Sequence, residues 1–386
     1  MRIAILSTPF FHDCEEVVHL EKNGNKRKGK DRVIWGGAER YLIDLCELLQ
    51  RTGHTVTVYQ PFPNIENAFS KKYKGITFVM IPNHGGWEYS TCIDLNWQFN
   101  ELSALDDISI YFATYLAFPY AKSPCITISH GIYWDNTQGN SNINAFNDVQ
   151  RKEFFKRQLY GFKEADVCVS VDSNVKKVIQ AIEPGADKRM QIIYNYVDTD
   201  KFTPKDKDWE GINILFPRRL TSLRGSTEIT KAFIRLQQYN FTLVGQSHDE
   251  KSQEEFVNAH KDRKNFKFDV KPMDGMEEMY QNSDISVVPT LSTEGLSLSL
   301  LESMSCGLPV ITTPAGGLGD AVIDGYNALI YNPNHEDLTE YIDYLAQNEE
   351  LRNKFSKRNR EIAVDCFDKR IWENRWLNLI KQFGGV

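Results

Sequence analysis

The chain has 386 residues, 41% of them hydrophobic and 25% charged, which suits a globular protein of two domains better than one oversized core. Fifty-two acidic against 45 basic side chains leave a formal charge of −7, which argues against a general affinity for nucleic acid. No window holds the ~18–20 apolar residues needed to cross a bilayer, and the seven cysteines are scattered without a Cys-x-x-Cys, so neither a disulfide frame nor a zinc site is expected and a cytoplasmic chain, at most peripheral to a membrane, is.

Met1-Arg2 leads directly into Ile3-Ala4-Ile5-Leu6, an apolar run too short for a signal-peptide core, which predicts a first strand over Arg2–Ser7. Residues 14–35 form a polar insertion containing Lys22-Asn23-Gly24-Asn25-Lys26-Arg27-Lys28-Gly29-Lys30. A mobile surface loop is expected there, an acceptor-gripping lid being the sharper alternative. Gly36-Gly37-Ala38-Glu39-Arg40 then opens an amphipathic helix with Tyr41, Leu42, Leu45, Leu48 and Leu49 on one side. Further strands are predicted at Thr55–Tyr59, Ile76–Ile81, Ile108–Ala113, Cys125–Ser129, Asp166–Val171 and Gln191–Tyr194. A second set follows at Asn213–Pro217, Phe241–Val244, Phe266–Val270, Ile285–Pro289, Pro309–Thr312 and Ala328–Tyr331. Continuous apolar runs of this length, alternating with helical stretches, predict parallel α/β sheets. The polar segment Thr199–Gly211, with Pro204 inside it, reads as the linker between two domains, 1–204 and 205–366. The chain closes in helix with Trp372 and Trp376 on one face.

Ligands of open parallel sheets bind beyond the carboxyl ends of the strands, and the informative residues cluster there. After the strand ending at Pro289, a loop carries Glu294-Gly295, and a helix is predicted from Ser297 to Gly307. Gly295 permits close approach to a ligand and Ser297 is an N-cap residue type. The backbone N–H groups at 296–298 and the positive helix end make an anion site. Glu294 and Glu302 flank it, acceptor-only carboxylates suited to a ligand with hydroxyls on both sides of its phosphates. A nucleotide sugar has that layout. In Phe216-Pro-Arg-Arg-Leu-Thr-Ser-Leu-Arg-Gly225, Arg219 and Arg224 can hold a diphosphate and neutralise the charge that grows as it leaves. His130 ends a buried strand in Thr127-Ile-Ser-His-Gly131 and faces the expected cleft. Trp87, Tyr89, Trp97, Tyr133 and Trp134 suit stacking on sugar rings. Asp198-Thr199-Asp200 has the look of a metal-binding Asp-x-Asp, but it lies near the linker and no metal is assigned to it.

Taken together, these motifs resemble family 4 retaining glycosyltransferases of the GT-B fold, with two Rossmann-like domains whose parallel sheets face each other across a cleft. Glu294 and Glu302 stand as the Glu-x7-Glu pair, and Leu308-Pro309-Val310-Ile311 with Gly316-Gly317 continues that block. Arg219 matches the family arginine, and Arg224 sits where lysine is usual. Asn195-Tyr196-Val197-Asp198 resembles Asn-Gly-Val-Asp. Ala165-Asp166-Val167 with Ser170, Ser129-His130-Gly131 and Gly36-Gly37-Ala38-Glu39 fill the remaining signatures, the last displaced by the insertion.

The resemblance implies an acceptor domain over 1–204, with a helix at 367–386 packed back on it, and a donor domain over 205–366. It implies a catalytic set of His130, Arg219, Arg224 and Glu294. Donor contacts are expected from Gly37, Arg219, Arg224, Val270, Lys271, Met273, Glu294, Gly295, Leu296, Ser297, Leu298 and Glu302. Within that set Glu302 is expected on the ribose, Glu294 on the sugar hydroxyls, and the backbone near Val270–Met273 on the base. Anomeric configuration would be retained by front-face attack, with no protein nucleophile, no metal and no cofactor beyond the nucleotide-sugar co-substrate. UDP-glucose is the first donor expected, with UDP-GlcNAc and GDP-mannose as alternatives, and the acceptor a glycan, lipid-linked sugar or polysaccharide. A silent nucleotide-sugar-binding subunit and a GT-B epimerase are the competing readings. A nicotinamide dehydrogenase is disfavoured, because the first strand–helix turn lacks Gly-x-Gly-x-x-Gly.

Overall fold

A computed structural model of the chain describes residues 1–20, 26–33, 36–83, 91–134, 148–245, 250–270, 275–333 and 336–384. It begins with Arg2–Leu6 (β1), followed by four short strands, one just before the insertion, Phe11–Asp13 (β2), and three within it, Val18–Leu20 (β3), Lys26–Lys28 (β4) and Arg32–Val33 (β5). The first domain continues through Gly37–Arg51 (α1), Thr55–Pro63 (β6), Phe69–Tyr73 (β7), Ile76–Asn83 (β8), Thr91–Leu102 (α2), Ile108–Tyr111 (β9), Cys125–Ser129 (β10), Asp148–Glu164 (α3), Val167–Ser170 (β11), Ser173–Ile182 (α4) and Met190–Ile192 (β12). The second holds Asn213–Phe216 (β13), Ser226–Arg235 (α5), Asn240–Val244 (β14), Glu250–His260 (α6), Phe266–Asp269 (β15), Met276–Gln281 (α7), Ile285–Val288 (β16), Leu298–Ser305 (α8), Val310–Thr312 (β17) and Ala328–Ile330 (β18). Leu338–Gln347 (α9), Glu349–Phe367 (α10) and Lys369–Gly384 (α11) complete the chain.

Two doubly wound sheets result. The first runs β12-β11-β10-β9-β1-β6-β8-β7 and the second β15-β14-β13-β16-β17-β18. All pairings are parallel except β7, which is antiparallel to β8. Strands β10, β11 and β16 are buried at every residue, as expected where helices cover both faces of a sheet. Every predicted strand is present with ends moved by a few residues.

Strand β7 was not predicted. Its Phe-Ser-Lys-Lys-Tyr sequence lies at a sheet edge and leaves Ser70 and Lys72 to solvent. The insertion corrects a second expectation. Rather than a loose loop, its described part pairs β2 with β5 and β3 with β4, and Cys14 and Val17 enter the first domain's core.

The chain crosses between the domains twice, and the two crossings bond to each other. Val197 N–H donates to the Phe367 carbonyl at 2.9 Å, and Lys369 N–H donates to the Val197 carbonyl at 2.9 Å. The segment that reads as a linker is therefore packed at its start, where Thr199 and Phe202 are buried and their carbonyls accept from Arg360. Beyond the second crossing, α11 returns to the first domain, where Trp372, Trp376, Leu379 and Ile380 join its core. Trp376 Nε1 donates to the Tyr41 hydroxyl at 2.8 Å, and the Trp372 ring lies 4.2 Å from that of Tyr196. Trp376→Ala should lower stability by ~3–5 kcal/mol through lost packing and the cavity left behind. Denaturant midpoints measure this, and an unchanged midpoint would show that α11 does not brace the first domain.

Candidate active site at the interdomain cleft

Glu294 is the centre of a buried polar cluster. It sits in the loop between β16 and α8, and its Oε2 accepts from Arg218 Nη2 at 2.6 Å and from the Thr290 hydroxyl, and forms an ion pair with Arg224 Nη1 at 2.6 Å. Burial pushes this carboxyl up, but the two guanidiniums outweigh burial and hold it down at about 2. Burial likewise lowers Arg224, to about 10, against the pull of Glu294, so at neutral pH the group is a carboxylate between two cations. One negative charge for two positive ones leaves an anion-seeking site.

Arg218 is the residue that sequence reasoning missed. It is 8% exposed, and its Nη atoms also donate to Ser297 Oγ at 2.9 Å, Ser299 Oγ at 3.3 Å and Thr290 Oγ1 at 2.6 Å. Arg219, the neighbour expected in this role, turns the other way, toward the amino-terminal glycine loop. A Cβ on Gly36 would lie 2.5 Å from Arg219 Nη2 and 2.7 Å from Glu39 Oε2. Gly36 is extended (φ −145°), so its requirement is space and not backbone freedom. A Cβ on Gly37 would be 3.4 Å from Leu298 Cδ1, which brings the expected donor residue Gly37 against α8.

The first domain's other wall is the β10–Gly131 turn. A Cβ on Gly295 would stand 2.8 Å from the His130 carbonyl, 3.0 Å from Val171 Cγ2 and 3.3 Å from Asp172 Oδ2, so only glycine lets the two loops meet. His130 packs its ring on Tyr41 and Phe112 at 5.2 and 4.6 Å. Its Nε2 is buried without a partner. Burial lowers its pKa to about 4, against a backbone hydrogen bond with Phe112, so the imidazole is neutral at pH 7. Asn195 Nδ2 reaches the Leu296 carbonyl at 2.5 Å and ties the β12 side to the same loop.

Glu302, one helical turn inside α8, is engaged on both oxygens. Arg40 Nη1 donates to Oε1 at 2.5 Å from the first domain, and the Tyr280 hydroxyl donates to Oε2 at 2.8 Å. Arg40 in turn lies 3.7 Å from Asp44, which accepts from Lys369 Nζ at 2.9 Å and from Tyr196. Neither Arg40 nor Tyr280 carries a motif that marks it in sequence; only the domain contact does.

The structure thus brings together His130, Arg219, Arg224, Glu294, Gly37, Gly295, Leu296, Ser297, Leu298 and Glu302. Val270 is exposed beyond the end of β15, and Lys271 and Met273 lie outside the described residues. Of the aromatic candidates, Trp87 and Tyr89 also lie outside them. Trp97 is exposed beside Tyr120, while Tyr133 and Trp134 pack on Tyr115 and Phe155.

Among the described residues, two acidic groups have the look of cation sites. Asp198 Oδ1 accepts from the backbone N–H groups of Asp200 and Lys201, and Thr199 donates to Asp368, so this Asp-x-Asp stabilises a turn. Cys14, Glu16 and Asp31 converge, but Lys71 Nζ sits 2.8 Å from both carboxylates, and burial raises the Cys14 thiol to about 12. An ammonium already balances that group.

Comparison with known proteins fits this geometry. Residues 35–201 match the model of Glycosyltransferase Family 4, and residues 198–362 match that of Glycosyl transferases group 1. The chain belongs to the family 4 type of GT-B glycosyltransferases. An uncharacterized glycosyltransferase of Methanocaldococcus jannaschii is 31% identical over 56% of this chain and 59% of its own length. A Campylobacter jejuni relative, 29% identical over 58% of this chain and 56% of its own length, is named as an α-1,3-N-acetylgalactosaminyltransferase acting on N,N'-diacetylbacillosaminyl-diphospho-undecaprenol. The matches therefore span less than two thirds of these relatives. The Anabaena protein HepE in complex with UDP-glucose superposes with a TM-score of 0.73 at 15% identity, over 99% of this chain and all of its own, which establishes the shared fold.

The buried, neutral imidazole yields a pH prediction for this family member. Its folded pKa lies below the ordinary 6.5, so His130 should contribute no inflection to kcat/KM between pH 5.5 and 8. A limb with midpoint near 6.5 that His130→Asn removes would show the ring to be solvated and titrating.

Proposed function

We propose that the chain is a retaining, metal-independent hexosyltransferase that takes its sugar from a nucleoside-diphosphate donor, UDP-glucose first among them, and passes it to a glycan, lipid-linked or polysaccharide acceptor. The observation that carries this reading is the convergence of Arg218 and Arg224 on Glu294 beside the amino-terminal end of α8, whose N-cap side chain makes no cap. A diphosphate finds there the guanidinium of Arg224, a second in Arg219, and the backbone donors at 298–300.

In this reading Arg224 and Arg219 hold the diphosphate and stabilise the charge that develops on it as the glycosidic bond breaks. Glu294 has every recorded bond on Oε2, which leaves Oε1 to accept from hydroxyls of the sugar. Glu302 serves the ribose and, through Arg40, ties the occupied donor side to the first domain. Gly295, Leu296, Ser297 and Leu298 present the loop and helix start, with Gly37 closing over Leu298. Val270, Lys271 and Met273 would meet the base. Neutral His130 contacts the sugar from the opposite wall, and the leaving phosphate accepts the acceptor's proton, so no side-chain nucleophile or metal is required. We assign the donor side to 205–366 and the acceptor side to 1–204 with 367–386. The UDP-glucose complex of HepE favours a UDP-sugar, and the name of the Campylobacter relative favours a lipid-diphosphate-linked acceptor.

The test is transfer from UDP-glucose, UDP-GlcNAc and GDP-mannose in excess EDTA, with polyprenyl-diphosphate-linked sugars as acceptors. Turnover of one donor without added metal is expected. Loss of activity restored by magnesium would overturn the metal-free mechanism, and tight binding without turnover would make the chain a silent subunit. Arg224→Ala and Glu294→Ala should each lower kcat/KM by ~2 kcal/mol or more, about thirty-fold; wild-type rates in either would refute the assignment of the site.

A further inference from the structure

We propose that Arg218 is a positioning residue that keeps the amino terminus of α8 open to the donor's diphosphate by holding the Ser297 hydroxyl away from the backbone N–H groups it would otherwise cap. The inference rests on reading this end of α8 as the diphosphate site.

Ser297 has the residue type and the extended backbone (φ −71°, ψ 128°) of a normal N-cap. Its side chain nonetheless accepts no N–H from the first turn. At three other helices among the described residues an Asp or Asn side chain caps in the ordinary way. Asp172 caps Val175 N–H at 2.9 Å, Asp337 caps Thr339 N–H at 2.9 Å and Asn348 caps Leu351 N–H at 3.0 Å. At α8 the hydroxyl is diverted. It takes Arg218 Nη1 at 2.9 Å and pairs with Ser299 Oγ at 3.0 Å, and Ser299 Oγ itself takes the same nitrogen at 3.3 Å.

The arrangement is costly without a ligand. A guanidinium at the positive end of a helix dipole is opposed by the helix, and among the described residues the Glu294 carboxylate offsets it. Arg218 is more than nine-tenths buried, yet its Nε has no partner. The helix start therefore keeps its unsatisfied backbone donors beside a buried, incompletely paired guanidinium, next to the loop that carries Glu294. An arriving anion relieves the backbone donors, and a hydroxyl cap would compete with it for them.

The competition gives a double-mutant test read as UDP affinity by calorimetry. Arg218→Met, which keeps the length and loses the hydrogen bonds, should weaken UDP at least tenfold in the wild-type background. In a Ser297→Ala background, where no hydroxyl can swing in to cap, the same change should cost threefold or less. Equal losses in the two backgrounds, or no loss in either, would overturn the proposal. If Arg218→Met does not fold, Arg218→Gln serves in its place, since its one amide group brings two N–H donors and no charge to Glu294 and both serines. A wild-type protein that binds no nucleoside diphosphate would remove the reading of the site itself, whereas UDP binding indifferent to Arg218 would remove only this inference.

Discussion

A carboxylate taken out of water needs compensation, and the form it takes around Glu294 determines much else in this molecule. Arg218, Arg224 and Thr290 all converge on Oε2, which sets a net positive charge beside α8. The partners come from the carboxyl ends of two neighbouring strands, β13 and β16. Parallel pairing of those strands places the loops side by side, so the sheet topology itself assembles the cluster. Removing Glu294 would leave two buried cations uncompensated, which costs more than the pairing is worth in water.

The second constraint is close approach across the cleft. Gly295 lies against the His130 carbonyl, and Gly36 leaves room for Arg219. Larger residues at these points would hold the loops apart. Arg40 spans the same gap electrostatically and meets Glu302, and Asp320 accepts from Ser173 N–H at 2.6 Å. The bonded crossings at Val197 and Asp368, with α11 returned to the first domain, restrict how the two sheets can move about this contact.

Much of this is legible in the sequence. The strands at Ile3, Ile126, Val169 and Val287 are apolar on both faces because helices cover both sides, so they stand out without an alignment. Strand β7 does not, because an edge strand with exposed Ser70 and Lys72 lacks that signature. The short ladders of the insertion hide behind its lysines, although Cys14 and Val17 supply the buried contacts. Ser297 was recognisable as an N-cap position, but its side chain serves Arg218. Adjacent arginines at 218 and 219 are indistinguishable by type; backbone direction beyond β13 sends one to Glu294 and the other to Glu39. Arg40 and Tyr280 become functional candidates only once the domains are placed together, since nothing local links residue 40 to residue 302.

The central claim is that the Glu294 cluster and the start of α8 bind a diphosphate. It is tested most directly by comparing UDP with UMP by calorimetry, in the wild-type protein and in Arg224→Ala. The account predicts that wild type binds UDP at least tenfold more tightly than UMP, and that Arg224→Ala removes most of that difference while leaving UMP affinity nearly unchanged. Equal affinity for the two nucleotides in the wild-type protein would contradict it.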